Sequence, residues 1–396
     1  MTELSWDPIS PELRVDPYPL WKRLRDQAPV YRNDKYDFYA LSRFHDIEAA
    51  HRDPETFSSS HGTTLETMSP EPVDTGMIIW LDAPKHTTLR KLVSRAFTTR
   101  RISTLDVKVR QICAELLDAQ IGSGRFDYVQ DFSAILPPSV ISLLLGVPSS
   151  ERDELRHIVD DVFHVEEGVG MANDVSMNAL VELGQRLGAH FADRRVHPQD
   201  DVFTDLVNAE VADEQTGEPR RLTDEELASF GILLFSAGSE TVARHLGWAA
   251  SLLDEYPAQR AELASDPSLI PGAVEEILRY EPPSPVNARW STCDVTVAGE
   301  TIPAGSRVIL ITGSAGRDER KYLNPDVFDV HRTFDAHLTL GYGGHFCLGA
   351  ALARMEARIG LEETLKRWPE WKVDREETVL LYTSTVRGPQ RLPIDV

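Results

Sequence analysis

The densest group of chemically useful residues is Leu340-Gly-Tyr-Gly-Gly-His-Phe-Cys-Leu-Gly349. Gly341, Gly343 and Gly344 let a backbone turn sharply and lie close against a flat object. Cys347 follows them at the start of Leu348–Trp368, whose pattern is helical. At a helix N-terminus, free N–H groups and the dipole stabilise a thiolate, which is a soft ligand for iron. A lone cysteine is more often a small buried apolar residue, but the spacing around this one favours a ligand. A second group is Ala237-Gly-Ser-Glu-Thr241, inside a long helical segment. Glycine within a helix costs about 1 kcal/mol relative to alanine, and an acid beside an alcohol is expensive to bury. Close packing would explain Gly238, and a bond back to a carbonyl one turn earlier would explain Thr241. Proton handling would explain the pair together. Third, Glu276 and Arg279 share one helix face at i, i+3, a spacing usually filled by an exposed ion pair.

Taken together, these segments resemble the cytochrome P-450 superfamily of haem-thiolate monooxygenases, whose loop pattern is F-G-x-G-x-H/R-x-C-x-G. Gly341, Gly343, His345, Cys347 and Gly349 match, while Leu340 stands where the family usually has Phe. Ala237 to Thr241 match A/G-G-x-D/E-T, and Glu276 to Arg279 match E-x-x-R. Arg332, in Phe328-Asp-Val-His-Arg332, fits the second arginine of a buried triad with Glu276 and Arg279. The landmarks keep the family's order over nearly the whole chain.

The resemblance implies a mainly α fold: a helical triangular prism with small β-sheets, and haem b between the long central helix and the final helix. One haem domain over 1–396 is expected. Cys347 would be the only protein ligand to iron, with Ala237, Gly341, Phe346 and Gly349 against the haem. His86, Arg90, Arg289 and His345 would hold its propionates. Gly238 would make room for dioxygen, Thr241 would hydrogen-bond it, and Glu240 would relay protons. The implied reaction inserts one oxygen atom from O2 into a small organic substrate. Electrons would come from NAD(P)H through ferredoxin reductase and ferredoxin, because the chain has no room for a fused reductase and carries no flavin or iron–sulfur signature. Two alternatives share the fold: a haem-thiolate protein that binds ligand without turnover, and a peroxide-driven enzyme. Neither needs the acid–alcohol pair.

The elements that must position these residues are mostly helical. Helical patterns run over Asp16–Ala28, Phe44–Arg52, His86–Phe97, Ser103–Ile121, Ser139–Leu145, Glu151–Phe163, Val175–Arg195, Asp201–Glu210, Thr223–Leu253 and Pro271–Tyr280. Thr223 with Glu226 predicts a capping box, and Tyr256-Pro257 a stop. Strand patterns occur near both ends: Pro29–Tyr31, Asp37–Leu41, Val286–Trp290, Val295–Val297 and Val308–Ile311. The long polar stretch from Phe57 to Pro84 reads as a functional loop.

Composition sets the outer limits. With 63 Asp+Glu against 41 Lys+Arg, the net charge is −22, which argues against a general nucleic-acid binder. No apolar run reaches the roughly 18–20 residues of a membrane helix, and the N-terminus lacks a signal-peptide layout. A cytoplasmic monomer is expected. Cys113, Cys293 and Cys347 are too few and too widely spaced for a disulfide framework or a cysteine zinc site, and the remaining histidines look scattered. By family position, the substrate pocket would be lined by Met77, Ile78, Ile79, Leu233, Ser236, Ala237, Val286, Asn287 and Thr383. The loop His61–Trp80 carries no Arg or Lys, and Glu66, Glu71 and Asp74 would repel an anion. A neutral, largely apolar substrate is therefore expected, with His61, Thr63 and Thr64 the groups that could still receive an acid. Lys91, Arg95, Arg100 and Arg101 form a local basic patch suited to an acidic ferredoxin.

Overall fold

A computed structural model describes residues 4–8, 10, 12–73, 76–166, 169–213, 216–383 and 385–396; Asp74 lies outside them. The organising element is the helix Asp224–Glu255, whose 32 residues span about 48 Å. Its start follows from the sequence. Thr223 accepts from the Glu226 N–H while Glu226 reaches back to the Thr223 N–H, and three acids occupy the first turn. It ends at Tyr256, where Pro257 opens the next helix, Pro257–Ser265. The central helix packs against Asp174–Val196, Leu136–Leu145, Ala350–Arg367 and the C-terminal hairpin. Close approach is bought with glycine: a Cβ at Gly360 would lie 2.9 Å from a Leu246 methyl.

The strands assemble differently from the expected separate sheets at the two ends. One five-stranded sheet runs Val30–Asn33, Phe38–Leu41, Arg307–Leu310, Asn287–Ser291, Phe57–Ser58. Its Phe38–Leu41 and Arg307–Leu310 pair in parallel, with Arg307 opposite Phe38, so the sheet joins the two ends of the chain. Arg289 lies opposite Val308 within it. Beneath it sits a small core with Trp6, Trp21 and Phe38, while the main core lies among the helices.

Several boundaries also move. Ser103–Ile121 is broken by a turn into Thr99–Ser103 and Asp106–Asp118. The His86 helix spans Lys85–Val93. Val202–Val207 stops short, because Glu210–Ala212 turns into a strand paired with Pro219–Arg221. The C-terminal strands, including the hairpin Val379–Tyr382 with Arg387–Arg391, have two to five residues each. Among the described residues, no helix is long and apolar enough to cross a membrane.

Candidate active site

Gly341 and Gly343 sit at φ +72° and +66°, the left-handed region that glycine occupies without strain. At Gly343 there is a second reason: a Cβ would meet the His51 carbonyl oxygen at 2.8 Å. The Cys347 N–H donates to Leu340 O at 2.7 Å and closes the loop. Leu340, in the place of the usual Phe, packs half-buried against the main core. The helix Ala350–Arg367 starts just beyond, with Gly349 as its cap residue. Burial pushes the Cys347 thiol up, and the Gly349 N–H, Arg90 and Arg354 pull it down. Cys113 and Cys293 are also free, one buried and one exposed.

On the central helix, Ala237 is exposed and Gly238 and Thr241 half-buried, although Leu233–Ser236 and Val242–Leu253 on either side are buried. The protein therefore opens at the middle of its most buried helix. A Cβ at Gly238 would touch Ile141 at an ordinary 3.5 Å, so packing does not demand glycine there. The Thr241 hydroxyl donates to Ala237 O at 2.9 Å, the back-bond considered from the sequence. Glu240 points elsewhere. It forms a buried pair with Arg244, 2.6 Å apart, and Arg244 also donates to Pro389 O. Sequence reasoning missed this partner, although i, i+4 spacing was its signal.

Glu276 and Arg279 are fully buried and bidentate, at 2.6 and 2.7 Å, and Arg332 Nε lies 3.1 Å from the same carboxylate. Arg279 also donates to Gly316 O and Pro325 O, and the Asp329 N–H to Glu276.

The cations meet in a different setting. The His86 and His345 rings lie 4.0 Å apart, and Arg90 donates to Phe346 O, tying its helix to the cysteine loop. Arg289 is buried, and its one hydrogen bond among the described residues goes to the neighbouring Ala288 O. No carboxylate of the described residues pairs with Arg90, Arg289, His86 or His345, and His86 Nε2 is buried without a partner. Burial lowers Arg289 to about 10, against the pull of Asp82. Burial, then Arg289, His86, Arg90 and His51, hold His345 down to about 2. His51 belongs to this group, so the reading of the other histidines as scattered is corrected. No short motif marks it, because only the fold brings it here. Two arginines and several neutral imidazoles, buried or half-buried, thus face one another with no carboxylate bound to them. Beside a cysteine loop and an opened helix face, they fit a haem, which brings two carboxylates and an iron that takes a thiolate.

Of the pocket residues, Met77, Ile78, Ile79 and Leu233 share the main core, whereas Val286 packs with the core beneath the sheet. Ser236 Oγ and Asn287 Oδ1 are buried without partners. Thr383 spends its hydroxyl on the Thr385 and Val386 N–H groups. Thr63 accepts from Trp80 Nε1, Thr64 bonds Thr67, and His61 Nδ1 bonds Ser69 O while stacking on Trp290. In the basic patch, Lys91, Arg95 and Arg100 are exposed, and Arg101 pairs with Asp205.

Comparisons with known proteins agree with this geometry. A sequence model of the cytochrome P-450 family matches residues 268–391. Cytochrome P-450 130 of Mycobacterium tuberculosis is 37% identical over 396 residues, covering 96% of this chain and 95% of that one. The erythromycin C-12 hydroxylase of Saccharopolyspora erythraea is 38% identical over 378 residues, covering 94% and 92%. A solved structure of a mutant of P-450 EryK in complex with erythromycin B superposes with a TM-score of 0.89 at 34% identity, covering 99% of this chain and 98% of that one. Both the relatives and the fold extend over almost the full length, and the chain belongs to the cytochrome P-450 family of haem-dependent monooxygenases.

Proposed function

We propose that Cys347 would ligate the iron of haem b and that His86, Arg90, Arg289 and His345 would hold its carboxylates, in an enzyme that oxidises a neutral, largely apolar small molecule. One observation carries the assignment. Basic side chains, buried (His86, Arg289) or half-buried (Arg90, His345), converge beside the cysteine loop, and among the described residues no carboxylate pairs with them. When bound, the haem supplies dioxygen activation and one-electron chemistry. In the overall reaction, one oxygen atom of O2 enters the substrate and the other leaves as water, consuming two electrons and two protons.

The chain's own residues position and deliver. Arg90, Arg354 and the Gly349 N–H favour the thiolate form of Cys347. Ala237 and Gly238 keep the opened helix face low, and Thr241 can exchange its back-bond for one into the cleft. Glu240 handles protons on another side of the helix, where Arg244 clamps it and Asp160 feels both charges. The Glu276–Arg279–Arg332 network ties the helix Ile270–Tyr280 to the segment 316–329. Electrons come from NAD(P)H by way of ferredoxin reductase and ferredoxin, with Lys91, Arg95 and Arg100 as the face for an acidic donor.

Two features support a neutral substrate. Met77, Ile78, Ile79 and Leu233 offer apolar surface, and the loop groups able to receive an acid, His61, Thr63 and Thr64, are already hydrogen-bonded. An unpaired buried carboxylate costs several kcal/mol, more than one neutral hydrogen bond of about 1 kcal/mol returns. Ser236 and Asn287 remain to orient a polar group on the substrate. Ligand pairs differing only as free acid and methyl ester, titrated by the Soret shift, test this. The ester should bind more tightly with the larger high-spin change, and the opposite order rules the neutral class out.

A further inference from the structure

We infer that His51 is a further haem-carboxylate ligand of this chain, donating a ring N–H to the propionate edge beside Arg289 and His345. The inference rests on reading the cation cluster as the haem-carboxylate site, and adds to it a residue from another element. His51 lies in the last turn of the helix Phe44–Arg52, whose end is pinned to the cysteine loop. On the outer side, Arg52 stacks 4.6 Å over the Tyr342 ring and donates to its hydroxyl at 2.6 Å. On the inner side, the His51 backbone carbonyl presses on Gly343 so closely that no side chain fits there. His51 as a whole residue is 7% exposed, and both ring nitrogens are buried without a hydrogen-bond partner.

Buried polar side chains are nearly always satisfied, so a ring with two idle nitrogens needs an explanation. Protein groups do not provide one. The basic neighbours that bear on His51 and His345 are Arg289, Arg90 and His86, with no carboxylate among them. His51 and His86 Nε2 have no hydrogen-bond partner, and Arg289 has a single acceptor, the Ala288 carbonyl. A single pair of carboxylates would satisfy all of them. The helix end adds to the fit, since a C-terminal histidine beside an anion is favoured by the dipole once it takes a proton.

Haem transfer from the ferric holoenzyme to excess apomyoglobin tests the inference without turnover. His51→Leu should release haem about tenfold faster than the wild type, while His51→Gln, which keeps an N–H donor, should stay within about threefold. Reconstitution with haem dimethyl ester removes the carboxylates, and the gap between wild type and His51→Leu should then shrink below about twofold. Release at the wild-type rate from His51→Leu, or an equal gap with the ester, overturns the inference and makes His51 a packing residue. Should His51→Leu not fold, His51→Phe against His51→Gln decides it: a tenfold difference supports the role and equal retention removes it. A wild type lacking the thiolate spectrum of its ferrous carbon monoxide complex would instead fail the haem-site reading itself.

Discussion

Two clusters of basic side chains are built in opposite ways. In the first, Glu276, Arg279 and Arg332 share one carboxylate, and carbonyls of Gly316, Pro325, Leu323 and Asn324 take up the remaining donors. The carboxylate is paired with both arginines and their other donors meet backbone carbonyls, as buried ions require if they are to offset their desolvation. In the second, His86, Arg90, Arg289 and His345 face one another, and no carboxylate among the described residues pairs with them. Burial alone would select against that arrangement. The difference separates a cluster complete in the protein from one completed by something that binds. Both contain arginines that a sequence reading treats alike.

Variants can break this contrast, beginning with the largest effect. Glu276→Ala leaves Arg279 buried and unpaired, and should cost about 3–5 kcal/mol of stability, equally with and without haem in denaturant unfolding. A loss confined to the haem-loaded form would move the network into the binding site. Arg289→Met should do the reverse. The haem-free chain keeps its stability within about 1 kcal/mol, while haem release accelerates about 10- to 100-fold, the equivalent of one charged hydrogen bond. A further effect is in pH. Burial holds His51 to about 3, and His345 to about 2, below the ordinary 6.5, each with Arg289 as the next cause. These rings stay neutral when folded and take up protons on unfolding. Stability of the haem-free chain is therefore complete above pH about 6.5 and falls as pH drops toward 3, by up to about 1.4 kcal/mol per pH unit for each ring. Bound carboxylates should flatten that slope, and unfolding midpoints measured from pH 7.5 to 5 with equal slopes in both forms would remove the distinction.

What the sequence makes legible is what has a long period or a fixed spacing. The central helix, its Thr223–Glu226 cap and its proline stop are readable because thirty residues of periodicity and a four-residue motif state them directly. The cysteine loop and the Glu276–Arg279 pair are legible for the same reason. Strands of two to five residues carry too little alternation, so the C-terminal strands and the parallel pairing of Phe38–Leu41 with Arg307–Leu310 stay hidden. The break at Thr104–Leu105 stays hidden too, because the apolar spacing continues through it. Arg244 was visible as i, i+4 but had no motif to mark it. His51 has no local signal at all, since its surroundings come from a helix end, a loop and a strand far apart in the chain.

The central claim is that the open cluster serves a haem whose iron is held by Cys347. The measurement that tests it most directly is the ferrous carbon monoxide difference spectrum of the purified protein and three variants. The wild type, Cys113→Ser and Cys293→Ser should all give the red-shifted Soret band of a thiolate-ligated complex, and Cys347→His should not. Retention of that band in Cys347→His, or its loss in either other variant with Cys347 intact, would contradict the account.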